Sequence, residues 1–313
     1  GGKAAIFAAV QSGNAFSAPQ TVAASAGNEW NPAIAADATG RVTVAWDSYR
    51  HGNYDVYTRT TTGPGAWGPE KPAAAGPTYE AYPSIAYDRG GTLWVAYEEG
   101  AQRWGKDFGA DESSGMALYS GRAIRLRGFA KDGQLVQAAA DVGAVLPASP
   151  GPNAEQTDRQ SDVQGWLVPD PEAWKNRGDS RAVPSMPPTR RAPRNTMPRL
   201  AADASGRLWL AFRSMHPVFW TSIGAVYTEH LASLSGSEWT GSIYLDHSDN
   251  LLDNRPALVS VKAGELLIIG SSDGRRQFRA MSYMPGARTF PNDTEALEDP
   301  YQNDLWMSRV TLA

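Results

Sequence analysis

The chain has 313 residues, 42% of them hydrophobic, with 11 Trp, no Cys and a formal net charge of −4. That length fits two ordinary domains or one large all-β domain. Without cysteine there is neither a disulfide nor a thiolate metal site. The mild negative charge offers no general affinity for nucleic acid, and no apolar run approaches the roughly 18 residues of a spanning helix.

Residues 3–24 read as the second half of a repeating unit. Ala5-Ile6-Phe7 is one short strand and Thr21-Val22-Ala23 another. Asn31 to Tyr49 then forms a complete hairpin. Val42, Val44 and Trp46 alternate with Arg41, Thr43 and Ala45, and a period of two argues strand. The turn Asp37-Ala38-Thr39-Gly40 has an Asp that can fold back on backbone N–H groups and a Gly that can take positive φ. The same pattern returns at Tyr82, Met197 and Arg255, aligned on Pro32, Pro83, Pro198 and Pro256. Its turn Asp recurs as Asp88 and Asp203, with Lys262 in the fourth copy. Third strands are expected at Asp55–Arg59, Ala117–Tyr119, Ala225–Tyr227 and Asp304–Trp306, aligned on Tyr57, Tyr119, Tyr227 and Trp306.

Four antiparallel strands per unit, repeated radially, make a β-propeller blade. The expectation is one all-β propeller over residues 1–313, five-bladed, with four or six blades as the alternatives. Insertions are expected near residues 100–114, 138–197 and 272–303. The middle one explains why Pro83 and Pro198 lie about twice as far apart as the other prolines; it is rich in Pro, Gly, Ser and Arg. A short helical turn is expected at Thr294–Leu297. The four hairpin turns are short and share one face, so all three insertions fall on the other. The chain starts and stops in third-strand phase, so its first strands are expected beside Asp304–Val310.

The repeat P-x-[IL]-A-x-D-x-x-G-x-[LVI]-x-[LVI]-A-[WFY] resembles that of sialidase-like and TolB-like propellers. The segments AWDSYRHGNYDVY and AYEEGAQRWGKDFGADES are similar to propeller regions of large bacterial proteins of unassigned function. Some of those continue into a PHP-type phosphoesterase-like domain. The resemblance implies a propeller and transfers no catalytic residue; the expected location is extracytoplasmic (periplasmic or secreted). The sialidase aspartate box S-x-D-x-G-x-T-W has no match; Ser271-Ser272-Asp273-Gly274 is its nearest fragment.

Repeat-equivalent positions form rings around a propeller axis. Glu29, Glu80 and Asp253 precede their prolines by three residues, with Asn195 in the third copy. Asp47 and Glu98 follow the second-strand aromatic, and Arg213 stands in the same place. With Arg50, Tyr82 and Arg255 they define a candidate ligand rim on the insertion face. The expectation is a non-catalytic recognition or scaffold module whose partner is a carbohydrate or another protein or domain. The alternative is a carbohydrate-active hydrolase or lyase using two of the carboxylates. Arginines of the rim should neutralise part of its charge, leaving Glu80 and Glu98 open to a ligand. Asp107, Asp111 and Glu112 form an acidic loop with the hard oxygen ligands that calcium takes. No motif requires a cofactor: there is no HExxH, no P-loop and no G-x-S-x-G elbow. The aromatics Trp46, Tyr97 and Phe212 share one blade position and should pack between blades. Trp104, Trp166 and Trp174 lie inside the insertions.

Overall fold

A computed structural model describes residues 2–63, 65–100, 122–136, 142, 146, 195–217, 225–245, 248, 255–272 and 304–311. In chain order the strands are β1 (Ile6–Ala8), β2 (Gln11–Ser12), β3 (Ala15–Phe16), β4 (Gln20–Ala23), β5 (Glu29–Ala36), β6 (Val42–Ser48), β7 (Asp55–Gly63), β8 (Ala66–Ala74), β9 (Glu80–Tyr87) and β10 (Leu93–Glu99). They continue as β11 (Ala123–Phe129), β12 (Leu135–Val136), β13 (Asn195–Ala202), β14 (Leu208–Pro217), β15 (Ala225–Ser235), β16 (Glu238–Tyr244), β17 (Ala257–Lys262), β18 (Glu265–Ser272) and β19 (Asp304–Thr311).

The strands form sequential antiparallel meanders: β5-β6-β7-β8, β9-β10-β11-β12, β13-β14-β15-β16 and the three-stranded β17-β18-β19. The first strands of successive meanders touch, β5 against β9, β9 against β13 and β13 against β17. Four-stranded sheets stacked through their first strands are the blades of a β-propeller. Clusters of buried residues join neighbouring sheets. Ala45 and Val56 of the first meander pack with Val95 and Tyr97 of the second. Ala96 and Ile124 of the second pack with Leu210 and Phe212 of the third. Trp209 and Leu231 of the third pack with Leu266 and Ile268 of the fourth. Trp46, Tyr97 and Phe212 are all fully buried, as inter-blade packing requires.

The hairpin turns follow their sequence signature. Asp37 Oδ1 accepts the Thr39 and Arg41 N–H groups at 2.9 and 3.0 Å. Asp88 Oδ1 accepts the Thr92 N–H at 2.9 Å, and Asp203 Oδ1 the Ser205 N–H at 2.8 Å. Gly40, Gly91 and Gly206 sit at φ of 83°, 81° and 90°, where a Cβ is costly. Asp203 Oδ2 also accepts the Gly264 N–H of the next hairpin at 2.9 Å. One turn thus ties two blades together.

Three expectations are corrected. The partner of β10 is Ala123–Phe129, a strand unmarked by an aliphatic–aromatic signature because arginines alternate along it; Ala117–Tyr119 lies outside the described residues. Tyr227 is not equivalent to Tyr57. Tyr57 faces Trp46 across its ladder, whereas His230 faces Phe212 and Tyr227 faces Met215. The β14–β15 ladder runs on to Pro217 and Ala225, which carries Tyr227 past the shared core. Finally, β1 pairs with β4 in its own two-stranded sheet, packed on Val44, Trp46 and Tyr57 of the first meander. Among the described residues no ladder joins it to β19, which ends the sheet β17-β18-β19. Among the described residues no helix is long and apolar enough to cross a membrane. The helical turn expected at Thr294–Leu297 lies outside the described residues.

Candidate functional site

The site is organised by a bulge that recurs in the first strand of each four-stranded meander. Asn31, Tyr82 and Met197 have φ of 50°, 53° and 53°. Each precedes an aligned proline, and each ladder slips there, between Trp30 and Ala33, opposite Ala96 and Glu98, and between Thr196 and Arg199. Proline disfavours the right-handed helical region for the residue before it, and a bulge leaves one residue outside the ladder. A non-Gly residue held at positive φ costs on the order of 1–3 kcal/mol. Something must hold it.

The second-strand carboxylates do so. Asp47 Oδ2 accepts the Tyr82 N–H of the next blade at 2.9 Å and the Asn31 side-chain amide at 2.8 Å. Glu98 Oε1 accepts the Met197 N–H of the blade after that at 2.6 Å. Both carboxylates are buried. A hydrogen bond to a charged group contributes about 1.5–3 kcal/mol, enough to offset the strained residue it grips. Burial pushes the Glu98 carboxyl above its usual range, against the Met197 N–H and the Arg122 and Arg213 guanidinium groups, which favour its charge. Arg122 Nε stands 4.0 Å from Glu98 Oε2.

The other rim residues are engaged too. Arg50 reaches Glu29 at 3.3 Å and Glu70 at 2.8 Å, donates to Ser48 Oγ at 2.8 Å and lies 4.1 Å over the Tyr57 ring. Glu80 Oε2 accepts the Gly76 N–H at 2.8 Å. Burial raises its pKa against that bond and Arg127. Arg213 Nε donates to Thr196 Oγ1 at 3.1 Å, and its guanidinium lies 4.0 Å over Tyr227. Arg255 is exposed; its charge acts on the Tyr82 hydroxyl, which burial and the Glu98 and Asp47 charges hold above its ordinary pKa. Glu80 and Glu98 are 3% exposed, so neither is open in the way the sequence suggested. Asp253, and the calcium candidates Asp107, Asp111 and Glu112, lie outside the described residues, as do Trp104, Trp166 and Trp174. Among the described residues no group of three or more acidic or histidine side chains is placed to hold a metal ion.

Sequence reasoning missed three members of this neighbourhood. Arg122 stacks 3.8 Å over the buried Tyr79 ring; it follows an insertion, where no repeat marks it. Tyr54 contacts Trp30, Tyr49 and Tyr79 at centroid distances of 5.5, 5.0 and 5.4 Å, forming an aromatic cluster with half-buried members. Glu229 faces Arg213 in the β14–β15 ladder. The first two meanders place Val56 and Ile124 opposite their acids; the sequence register, which set Tyr227 level with Tyr57, put Glu229 level with Arg59 and hid the carboxylate at that apolar position. Its carboxyl is pushed up to about 8 by burial, with Arg213 opposing.

No family model matches the chain, and no curated protein does. Among solved structures, a Hadza microbial sialidase is similar over 78% of this chain and 42% of its own, at 12% identity and a TM-score of 0.47. An endo-arabinase from Bacteroides thetaiotaomicron is similar over 96% of this chain and 82% of its own, at 12% identity and a TM-score of 0.45. A polysaccharide lyase of family PL25, an ulvan lyase bound to a sulfated saccharide, is similar over 78% of this chain and 50% of its own, at 13% identity and 0.47. The chain thus spans half or less of the sialidase and of the lyase. Overlaps this loose carry no functional argument, and the propeller assignment rests on the stacked meanders themselves.

Proposed function

We propose that this propeller is a non-catalytic recognition or scaffold module of a larger extracytoplasmic bacterial protein, engaging a carbohydrate or another protein domain through its insertion face. One observation carries the reading: Asp47 and Glu98 are buried and spent on the backbone of the next blade. A glycosidase needs two carboxylates facing each other across a substrate bond. Here those two act as clasps between blades. The aromatic cluster of Trp30, Tyr49 and Tyr54 supports carbohydrate as a ligand class, because aromatic faces pack well on apolar sugar faces.

The test is calorimetric titration of the wild type and a Glu80→Gln, Glu98→Gln double variant with acidic, neutral and basic oligosaccharides and with calcium. Turnover of the same sugars is followed in parallel. The expected result is no turnover by either protein, and a double variant that is less stable without a specific loss of sugar affinity. Turnover by the wild type that the substitutions abolish would establish the alternative, a hydrolase or lyase.

A further inference from the structure

The face opposite the insertions carries its own cleft. It lies between the first two full meanders, near their hairpin turns, and encloses about 470 Å³. That falls within the roughly 300–1,000 Å³ of ordinary small-molecule sites. Among the described residues Arg41, Lys71 and Lys131 line it, and no Asp or Glu does. The first two come from the β5–β8 blade and the third from the turn after β11. Among the described residues, two adjacent blades supply the lining.

Each cation is positioned. Arg41 is held by Asp37, Nε to Oδ2 at 3.1 Å, and lies 5.5 Å over the Tyr87 ring. The Lys71 ammonium reaches across the gap to within 3.3 Å of where a Cβ would stand on Gly133. The Lys131 stem lies against Gly91, in space that a Cβ there would fill. Both glycines are at positive φ, 88° and 81°, so turn geometry and room for the lysines coincide. Neither lysine is ion-paired with any described residue. The wall between them is hydroxylic. Thr43 Oγ1 meets Thr60 Oγ1 at 2.7 Å and the Tyr87 hydroxyl at 2.6 Å, which fixes the orientation of both lining groups. Leu93 and Phe129 supply an apolar side.

A cleft lined by one sign of charge between low-dielectric walls focuses its field on a counter-ion. We propose that this cleft binds a small anionic ligand, a molecule bearing a sulfate, phosphate or carboxylate group, with Lys71 and Lys131 neutralising the anion and Arg41 orienting it. Arginine presents planar donors suited to an oxyanion, and lysine a mobile point charge. The hydroxyl and apolar walls would take the remainder of the ligand.

The experiment is titration calorimetry at low salt with inorganic sulfate, inorganic phosphate, glucuronate and neutral glucose. The wild type should bind at least one of the three anions and not glucose. Which anion binds distinguishes the sources. The affinity should fall at least tenfold in a Lys71→Gln, Lys131→Gln variant, and also when salt is raised. A Lys262→Gln variant, which removes an exposed charge from the hairpin turn of the fourth meander, should bind the anion as the wild type does. If the double variant does not fold, the single variants Lys71→Gln and Lys131→Gln should each show part of the loss. No heat with any anion, equal binding of glucose, or affinity that survives both substitutions would overturn the proposal.

Discussion

At the scale of single residues, the third blade exchanges the charge pattern of the first two. Arg213 stands where Asp47 and Glu98 stand, and Glu229 faces it across the ladder. The fourth blade makes room: Gly270 occupies the position of Trp46, Tyr97 and Phe212, and a Cβ there would fall inside the Glu229 carboxylate. Glu229 Oε1 accepts no hydrogen bond from any described residue, and burial pushes its carboxyl up to about 8 against the Arg213 charge. The sign follows from linkage. Between the ordinary carboxylate range and about 8, the folded chain keeps this proton and the unfolded chain does not. Stability from this group is therefore lost as pH rises through that window, by up to about 1.4 kcal/mol per pH unit. Glu229→Gln cannot ionise and keeps the shape. We expect it to be more stable than the wild type near the top of the window, with the advantage shrinking as pH falls toward the ordinary carboxylate range. Urea midpoints of both proteins across that range measure it. A difference independent of pH would show that Glu229 does not hold its proton.

At the scale of elements, the bulge and its clasp couple one blade to the next. Asp47→Ala leaves the Tyr82 N–H without its acceptor and the left-handed residue unsupported. The expected cost is about 2–4 kcal/mol, combining a charged hydrogen bond with backbone strain. Asp47→Asn, which keeps an acceptor oxygen, should cost less. Chemical denaturation reads both; a loss within the roughly 0.5 kcal/mol of a surface substitution would mean the clasp does not couple blades. This device was half legible. The aligned prolines and the acids after the second-strand aromatic were visible as repeat-equivalent positions, and equivalence correctly grouped them. The sequence did not reveal that each acid turns toward the neighbouring backbone. Its acceptor role depends on the positive φ of Tyr82 and Met197, and neither residue type announces that conformation as Gly40, Gly91 and Gly206 do.

At the scale of the whole molecule, each blade contacts its neighbours, so stability is shared between intrinsic blades and their interfaces, as in other repeat architectures. The repeat made the meanders legible because a period of two and a Gly turn are local. How the first strands are used was not legible, since the pairing of terminal strands depends on ring geometry that no single repeat encodes. In the structure β1 and β4 seal the first full blade. Ile6, Val22 and Ala23 are 6%, 0% and 1% exposed against Val44, Trp46 and Tyr57. The outer sheet β17-β18-β19, by contrast, leaves Val259, Ile269 and Met307 exposed. Fully burying a Val or Ile is worth about 1.5–3 kcal/mol each. Removing residues 2–24 should therefore destabilise the fold by several kcal/mol and admit water to Trp46. The measurement is thermal melting together with tryptophan emission, with Trp46→Phe in both backgrounds to assign the signal. The truncated chain should melt earlier and emit further to the red, and the red shift should vanish in its Trp46→Phe form. Val22→Asp in the intact chain should reproduce the effect without a truncation, because it places an unpaired charge in the same contact. Unchanged melting in both the truncated chain and Val22→Asp would show that the first blade is complete without these strands.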